Sequence, residues 1–467
     1  MFGTIIGNIS GFMYGKLLVF LLIVVGLYFT FRTKFVQFRF FGESIRVVTE
    51  KPMDGGVSSF QALMVSTASR VGTGNIIGVS TAICLGGYGA VFWMWIIAIL
   101  GGASAFIEST LAQIYKKRDS EGGCYGGPAY YIEAAIKSPA LAAVFAVSML
   151  LTYAGGFNML ASYNLQSTFS AYGFYNEKTT PIVIGAILAV IVGYCLLGGG
   201  KRILSVTSKL VPLMGLLYVA VALIIVFTHL SLFPGVIGKI FTDAFDFHAI
   251  FGGFTGSCMM YGIKRGLFSN EAGVGSAPNA AASADVKHPV KQGLVQMLSV
   301  FIDTLLLCTC TAFMCLCSGV TPSEELAGAP YVQAAMQNAL GGIGPVFVTV
   351  AMVLFAFTTL LGNFYYVDNL LIYLNHKKEP SRKFMTCFRI FAAFIIFLGA
   401  MMSMSTVWDL ADVLMGIMTI INLPVICIAG GTALKALDDY AKQKKEGKSP
   451  VFKASSVGLE GKTDFWQ

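Results

Sequence analysis

The chain has 467 residues, of which 56% are hydrophobic and only 12% charged, with a net charge of +8. A soluble protein carries roughly 25% charged residues, so the composition excludes a soluble globular enzyme and points to a polytopic membrane protein, one bundle absorbing the length at about 20 residues per span. The positive balance suits nucleic acid or an anionic surface until its distribution along the chain is considered.

In chain order, the apolar run Leu17 to Thr30 has only Lys16 before it and no clear small-residue cleavage site after it, and Arg32, Lys34 and Arg39 follow. It reads as a retained first helix, 14–31, rather than a cleaved signal peptide. Further apolar segments stand at 57–84, 90–116, 139–158, 181–198, 204–228, 250–284, 290–318, 343–375, 384–404 and 407–434, eleven in all. Each is long enough for a helix at about 1.5 Å per residue. Two connecting stretches, 126–136 and 331–340, read as amphipathic and occupy equivalent places in the two halves. The tail 438–467 is charged and contains Gly and Ser, the composition of a helix followed by disorder. The ten cysteines lie mostly in apolar runs with no CxxC pair, and read as small buried hydrophobes.

Assigning loops alternately to two sides gathers most of the 32 basic residues on one of them. That side receives Arg32 to Lys51, Lys116 to Lys137, Lys201 to Lys209, Lys287 and Lys291, Lys377 to Lys383, and the lysines of the tail; the other has Lys16, Lys178 and Lys239. The positive-inside rule then places the N-terminus outside and the C-terminus in the cytoplasm of a cell membrane. The charge is an orientation signal for a chain whose partner is the lipid bilayer, and not a nucleic-acid footprint.

Two of the segments are interrupted alike. Arg70-Val71-Gly72-Thr73-Gly74-Asn75-Ile76-Ile77-Gly78-Val79 and Arg265-Gly266-Leu267-Phe268-Ser269-Asn270-Glu271-Ala272-Gly273-Val274 share Arg, Asn, Gly and Val at identical spacing. The topology runs them in opposite directions, as an inverted repeat requires. The expected fold is therefore all-α and polytopic: 11 transmembrane helices, one extra helix (14–31) before a 5+5 repeat of 57–228 and 250–434, forming a single transporter domain over 1–437 with a cytoplasmic tail from 438.

A helix that stops inside the bilayer exposes carbonyls at one half-helix end and amides at the next. Such a break offers ligands for a cation and donors for an anion, the pair that a zwitterionic amino acid travelling with Na⁺ needs. Gly72 and Gly74 let backbone approach a ligand closely; Thr73, Asn75, Ser269 and Asn270 are placed to cap the following half-helix, and Glu271 falls in its first turn. The plainer reading of the glycines is close helix packing, which leaves the polar Asn and Arg beside them unexplained. Arg70, Lys264 and Arg265 are costly in a membrane. They either bind substrate carboxylate or form gating ion pairs with the intramembrane acids Glu108, Glu271 and Asp303, and Asp303 and Glu108 are also candidates to relay protons or assist a cation. Thr358 and Thr359 either bond their own backbone or serve a site.

These residues resemble the alanine-or-glycine:cation symporter family, through GTGNI (72–76), GGPAYYIE (126–133), KRGLFSNEAGVGSAP (264–278) and KHPVKQG (287–293), over about 15–435. The resemblance implies the LeuT-like fold, a broken first core helix at Val71 to Asn75, and a substrate carboxylate held by the Gly74 amide, with Asn75 at a position used for cation or substrate. It implies a Na⁺ site from backbone oxygens near Ala68 and Val71 with the hydroxyls of Thr358 and Thr359. Two positions depart from the family pattern as pocket lining: Asn363 stands where a Trp is usual, and Asn158 to Asn164 shows no Gln near Ala161. The expected substrate-binding set is thus Thr73, Gly74, Asn75, Phe268, Ser269, Asn270 and Asn363. The expected function is secondary symport of small neutral amino acids of the alanine or glycine class with Na⁺ and no organic cofactor; the alternatives are proton coupling or another neutral substrate such as serine, threonine or glutamine. A channel would need rings of like charge or carbonyls, which are missing. An enzyme has no visible machinery: the four His are scattered, no HExxH, GxSxG or Walker A occurs, and GTGNIIG misses GxGxxG at Ile77. The sequence carries no sign of oligomeric state.

Overall fold

The computed structural model describes residues 2–53, 55–118, 123–246 and 257–466. The start of the 250–284 segment, up to 256, and His248 lie outside them. The described chain is almost wholly helical, because its long apolar stretches can satisfy their backbone groups in lipid only within themselves.

The first helix, α1 (Phe2–Arg32), begins well before the predicted 14 and contains a π turn at Met13–Leu18. A short amphipathic α2 (Phe41–Val48) follows, then the half-helices α3 (Ser59–Arg70) and α4 (Gly74–Gly86). Next come α5 (Gly89–Ile114), a two-stranded hairpin pairing Lys117 with Tyr125 and Arg118 with Cys124, and a short helix α6 over 128–136. The first half closes with α7 (Pro139–Ala171), α8 (Thr180–Leu196), α9 (Gly199–Thr228) and α10 (Phe233–Ala244). The second half opens with the half-helices α11 (Cys258–Asn270) and α12 (Pro278–Ser283), and continues through α13 (Pro289–Leu316), α14 (Ala329–Leu340), α15 (Ile343–Leu374), α16 (Arg382–Ala400) and α17 (Met404–Lys445). Among the described residues, eight helices are long and apolar enough to cross a membrane, with Gly74–Gly86 and Thr180–Leu196 apolar but shorter.

The half-helices sit at the centre. α5 packs against α11 and α13, and α3 against α9 and α15. Small residues set these crossings. A Cβ on Gly266 would lie 2.6 Å from Ile97 Cγ2, and one on Gly362 would lie 2.6 Å from the Ser69 amide nitrogen. Close packing through small residues is thus the role of Gly266.

The tail departs from expectation. α17 runs on to Lys445, and the chain then returns along the basic end of the bundle, through a 3₁₀ turn at Ala454–Val457. Phe452, Ala454, Val457 and Trp466 are buried. Instead of ending in disorder, the segment docks, because its few apolar side chains find a ready surface.

Candidate functional site

The first break lies where the glycine pair predicts. Val71 leaves helical geometry at φ −74°, ψ 87°, and the chain re-enters helix at Gly74 through a π turn to Gly78. Both glycines are demanded by their neighbours: a Cβ on Gly72 would overlap the Thr359 hydroxyl, and one on Gly74 would stand 2.7 Å from Cε1 of Phe268. The side chains around this break do not cap as expected. Asn75 reaches back, its Oδ1 accepting the Gly72 N–H at 2.9 Å, while Thr73 makes no capping bond and its hydroxyl accepts from Asn164 Nδ2 at 3.0 Å.

The second break is displaced from the predicted position. Gly266 to Asn270 is regular, buried helix, and the chain unwinds only from Glu271 to Ala277. Glu271 therefore caps the end of α11 in the left-handed conformation (φ 52°) instead of opening the next helix, and Gly273 and Gly275 carry the unwinding at φ 83° and 93°. These are conformations that glycine adopts without Cβ strain. Ser269 and Asn270 do not cap α12: Ser269 donates to Asp303 at 2.7 Å, and Asn270 Oδ1 accepts the Ala272 N–H at 3.0 Å.

Between the breaks lies a small cavity of about 20 Å³, lined by Arg70, Gly72, Thr73 and Gly74 from the first, Glu271 from the second, Phe268 of α11, Phe157, Leu160 and Ala161 of α7, and Ser69 and Thr359. Of the expected substrate set, Thr73, Gly74 and Phe268 line it. Asn75, Ser269, Asn270 and Asn363 do not. Asn363 is fully buried and engaged elsewhere, accepting from Ser69 Oγ at 2.6 Å and donating to Asn158 Oδ1 at 2.9 Å; it joins α3, α7 and α15 and is not pocket lining. A larger cavity of about 550 Å³ lies toward the face away from the tail, lined among others by Ile77, Tyr163, Gln166, Ala329 and Met404. At the inner cavity Phe157, Phe268 and Trp408 form a run of rings with centroids 5.0 and 4.9 Å apart.

Asp303 ties the two breaks together. Its carboxylate accepts from Asn75 Nδ2 at 2.7 Å, Ser269 Oγ at 2.7 Å and Thr304 Oγ1 at 2.8 Å. It sits in a π turn of α13, Phe301–Cys308, a distortion common at functional positions. Glu108 accepts the Gly273 N–H at 3.3 Å and Asn422 Nδ2 at 2.9 Å, and Glu271 accepts from Ser276 Oγ at 2.5 Å. Among the described residues Arg70 makes no ion pair. Its Nη1 donates to the Gln296 carbonyl at 3.3 Å, and Nε and Nη2 have no hydrogen-bond partner. Glu108, Glu271 and Asp303 are likewise buried, and of the three only Glu271 shares the small cavity with Arg70 among the described residues.

Arg265 pairs with none of those acids. It and Lys264 converge on Asp412 of α17, at 3.2 and 2.9 Å, and the Arg265 guanidinium lies 4.2 Å from the Trp408 ring centroid. Asp412 is the residue that sequence reasoning missed. An acid within the 407–434 segment, facing two intramembrane cations without assigned partners, was the available signal. Phe157 and Leu160 were also missed, since an apolar wall leaves no mark in an apolar helix.

Of the expected cation ligands, Ala68, Val71 and Thr359 lie together. Thr359 Oγ1 is 3.5 Å from the Val71 carbonyl, and the tight crossing at Gly362 brings Ala68 against α15. Thr358 instead directs its hydroxyl to the carbonyls of Leu354 and Phe355 in its own helix, at 3.0 and 3.2 Å.

Comparison with known proteins gives the family of the chain. The model of the sodium:alanine symporter family matches residues 1–454. The amino-acid carrier protein AlsT of Bacillus subtilis is 44% identical over 100% of this chain and 98% of its own. The sodium/alanine symporter AgcS of Methanococcus maripaludis is 35% identical over 95% of this chain and 99% of its own. A crystal structure of MhsT in complex with L-phenylalanine superposes with a TM-score of 0.55 at 15% identity, covering 89% of this chain and 93% of that one, a likeness of fold. The chain is a multi-pass membrane transporter, not an enzyme, and it belongs to the sodium:alanine symporter family.

Proposed function

We propose that this protein imports small neutral amino acids, alanine or glycine foremost, in symport with Na⁺ by alternating access. The observation that carries this reading is the cavity bounded by the two breaks, with backbone, Thr73 and an aromatic wall on its surface. The substrate carboxylate would meet the Gly74 amide at the start of α4, where the helix dipole favours negative charge. Na⁺ would take the Val71 and Ala68 carbonyls with the hydroxyls of Thr359 and Thr358, oxygen ligands without a dedicated carboxylate that suit an ion which must leave again. For Thr358 this requires its hydroxyl to rotate away from the Leu354 carbonyl. Phe157, Leu160 and Phe268 limit the side chain that fits, which favours the smallest substrates. The cavity is contracted at about 20 Å³, so binding would swing Phe157 and Phe268 aside and then close them over the ligand, a population shift driven by differential affinity.

In this reading the basic end faces the cytoplasm, the N-terminus lies outside, and 57–228 and 250–434 form an inverted 5+5 repeat behind α1, giving 11 spans in one domain. The test is uptake into proteoliposomes with a panel of neutral amino acids under a Na⁺ gradient, a proton gradient or neither. Na⁺-driven accumulation, competed best by alanine and glycine, supports the reading. Accumulation driven by protons alone would move the coupling to Asp303 or Glu108. No accumulation under any gradient would refute symport.

A further inference from the structure

We propose that the carboxy-terminal segment 446–466 is a latch on the gate at the basic end, and that Trp466 is the positioning residue through which it holds the gate shut. Taking that end as the cytoplasmic gate rests on the transport reading above.

The latch has three attachments. At its tip the Trp466 Nε1–H donates to the carbonyl of Gln113, near the end of α5, at 2.8 Å, with the indole only 6% exposed. Beside it the Phe465 ring receives Lys116 Nζ at 3.8 Å and the Arg118 guanidinium at 4.9 Å from its centroid; Lys116 is buried, so its cation–π contact gains from desolvation, while Arg118 is exposed. Asp464 accepts the Arg118 backbone N–H at 3.0 Å. At its middle the Phe452 N–H donates to the Lys287 carbonyl at 3.0 Å, and the Phe452 ring bridges His288 and Trp466, with centroids 5.2 Å from each.

These anchors grip the moving parts. Gln113 Nε2 donates to the carbonyls of Ala281 and Ala284, at 2.5 and 2.9 Å, and Lys116 Nζ donates to Ala284 at 2.9 Å. Both acceptors belong to α12 and its end, the half-helix after the second break. The Asp285 N–H in turn donates to the Val57 carbonyl at 2.8 Å, just before α3, and Gln292 Nε2 donates to Ser59 Oγ at 2.9 Å. A continuous path therefore runs from Trp466 through α5 to the basic-end half of both broken helices. Trp466 and Phe465 hold the end of α5 while Phe452 holds the 287–288 linker that follows α12, so a motion that carries α12 away from α5 would strain the contacts of the latch. The segment thereby biases the transporter toward the state closed at the basic end.

The test compares wild-type protein with Trp466→Ala, Trp466→Phe and a chain ending at Lys445. Each carries Ser283→Cys on α12, with Cys124→Ser and Cys387→Ser to remove accessible thiols. The readout is the rate at which a membrane-impermeant maleimide labels position 283 in inside-out vesicles, with Na⁺-driven alanine uptake measured in parallel. Loss of one buried hydrogen bond and its aromatic contacts implies roughly a ten-fold faster labelling in Trp466→Ala and the shortened chain. Trp466→Phe, which keeps ring contacts and loses the hydrogen bond, falls between, and it serves as the readout where the alanine variant does not fold. Unchanged labelling in these variants, with wild-type uptake intact, overturns the latch and leaves the transport reading standing. Absent wild-type uptake refutes the transport reading, while the labelling rates still report whether the segment holds α12 closed.

Discussion

Neutralising Asp412 should destabilise the protein more than any other single change at the polar centre. Its carboxylate is fully buried and lies between Lys264 Nζ at 2.9 Å and Arg265 Nη1 at 3.2 Å, and Lys264 also donates to Ser10 Oγ at 3.0 Å. The cluster therefore fastens α11 to α17 and α1. Removing one partner of a buried ion pair costs roughly 3–5 kcal/mol, because the remaining charge is stranded in a low dielectric. Asp412→Asn keeps the shape and one acceptor, so the lower end, about 3 kcal/mol, applies; it strands two cations, opposed by half-buried Asp409. The assay is the apparent unfolding temperature in detergent by intrinsic fluorescence, for Asp412→Asn, Lys264→Met and the double variant. The single Asp412 variant should melt several degrees lower. The double variant should recover part of the loss, since each change removes the other's penalty. An unshifted melt for Asp412→Asn, or a double variant whose losses simply add, would refute the argument that these charges form one unit.

Gly74→Ala would place a methyl 2.7 Å from Phe268 Cε1. Overpacking costs about 1–3 kcal/mol of stability and fills the cavity, so this variant should melt a few degrees lower and bind alanine roughly five-fold or more weakly; unchanged affinity would show that the ligand sits elsewhere. His288 gives a pH prediction. Its Nδ1 accepts the Val290 N–H at 3.3 Å and its Nε2 faces Asp439 at 3.2 Å, with Tyr440, Lys291 and Phe452 around it. Burial outweighs Asp439 and holds its pKa down at about 4, against 6.5 for the free side chain. Because the folded value is depressed, the stabilisation from keeping this imidazole neutral is complete above pH 6.5 and falls away as pH drops toward 4. At pH 5 the loss is on the order of 2 kcal/mol. Melting followed from pH 7 to 5 should show a steeper decline in wild type than in His288→Gln; parallel declines would contradict it.

The first break was legible because its cause is local: Gly72 and Gly74 flank a single residue, and their neighbours Thr359 and Phe268 leave no room for a side chain. The second was legible in existence but not in place. Ser269 and Asn270 have the composition of a helix start, yet their hydrogen bonds go to Asp303 and Ala272, and the positive-φ turn falls to Gly273 and Gly275. Gly266, matched to the first break by spacing, is a packing glycine against Ile97. Long-range partners were hidden for a different reason. Asp412 meets Arg265 across 147 positions and Trp466 meets Gln113 across 353, separations at which no periodicity connects two residues. The docked tail was invisible because Phe452, Phe465 and Trp466 are too few to lift a charged segment out of the composition of disorder. The family position predicts Asn363 in the cavity, and its bonds to Ser69 and Asn158 place it behind the wall instead.

If one pair of helix breaks holds an amino acid and Na⁺ together, each must tighten the binding of the other, and calorimetric alanine binding to purified protein with and without Na⁺ measures that coupling. Wild type should bind alanine more tightly as Na⁺ rises. Thr359→Val, which removes the hydroxyl standing 3.5 Å from the Val71 carbonyl at almost constant volume, should abolish that dependence while leaving the melting temperature near wild type. Alanine binding in Thr359→Val that still strengthens with Na⁺ as in wild type would contradict the account.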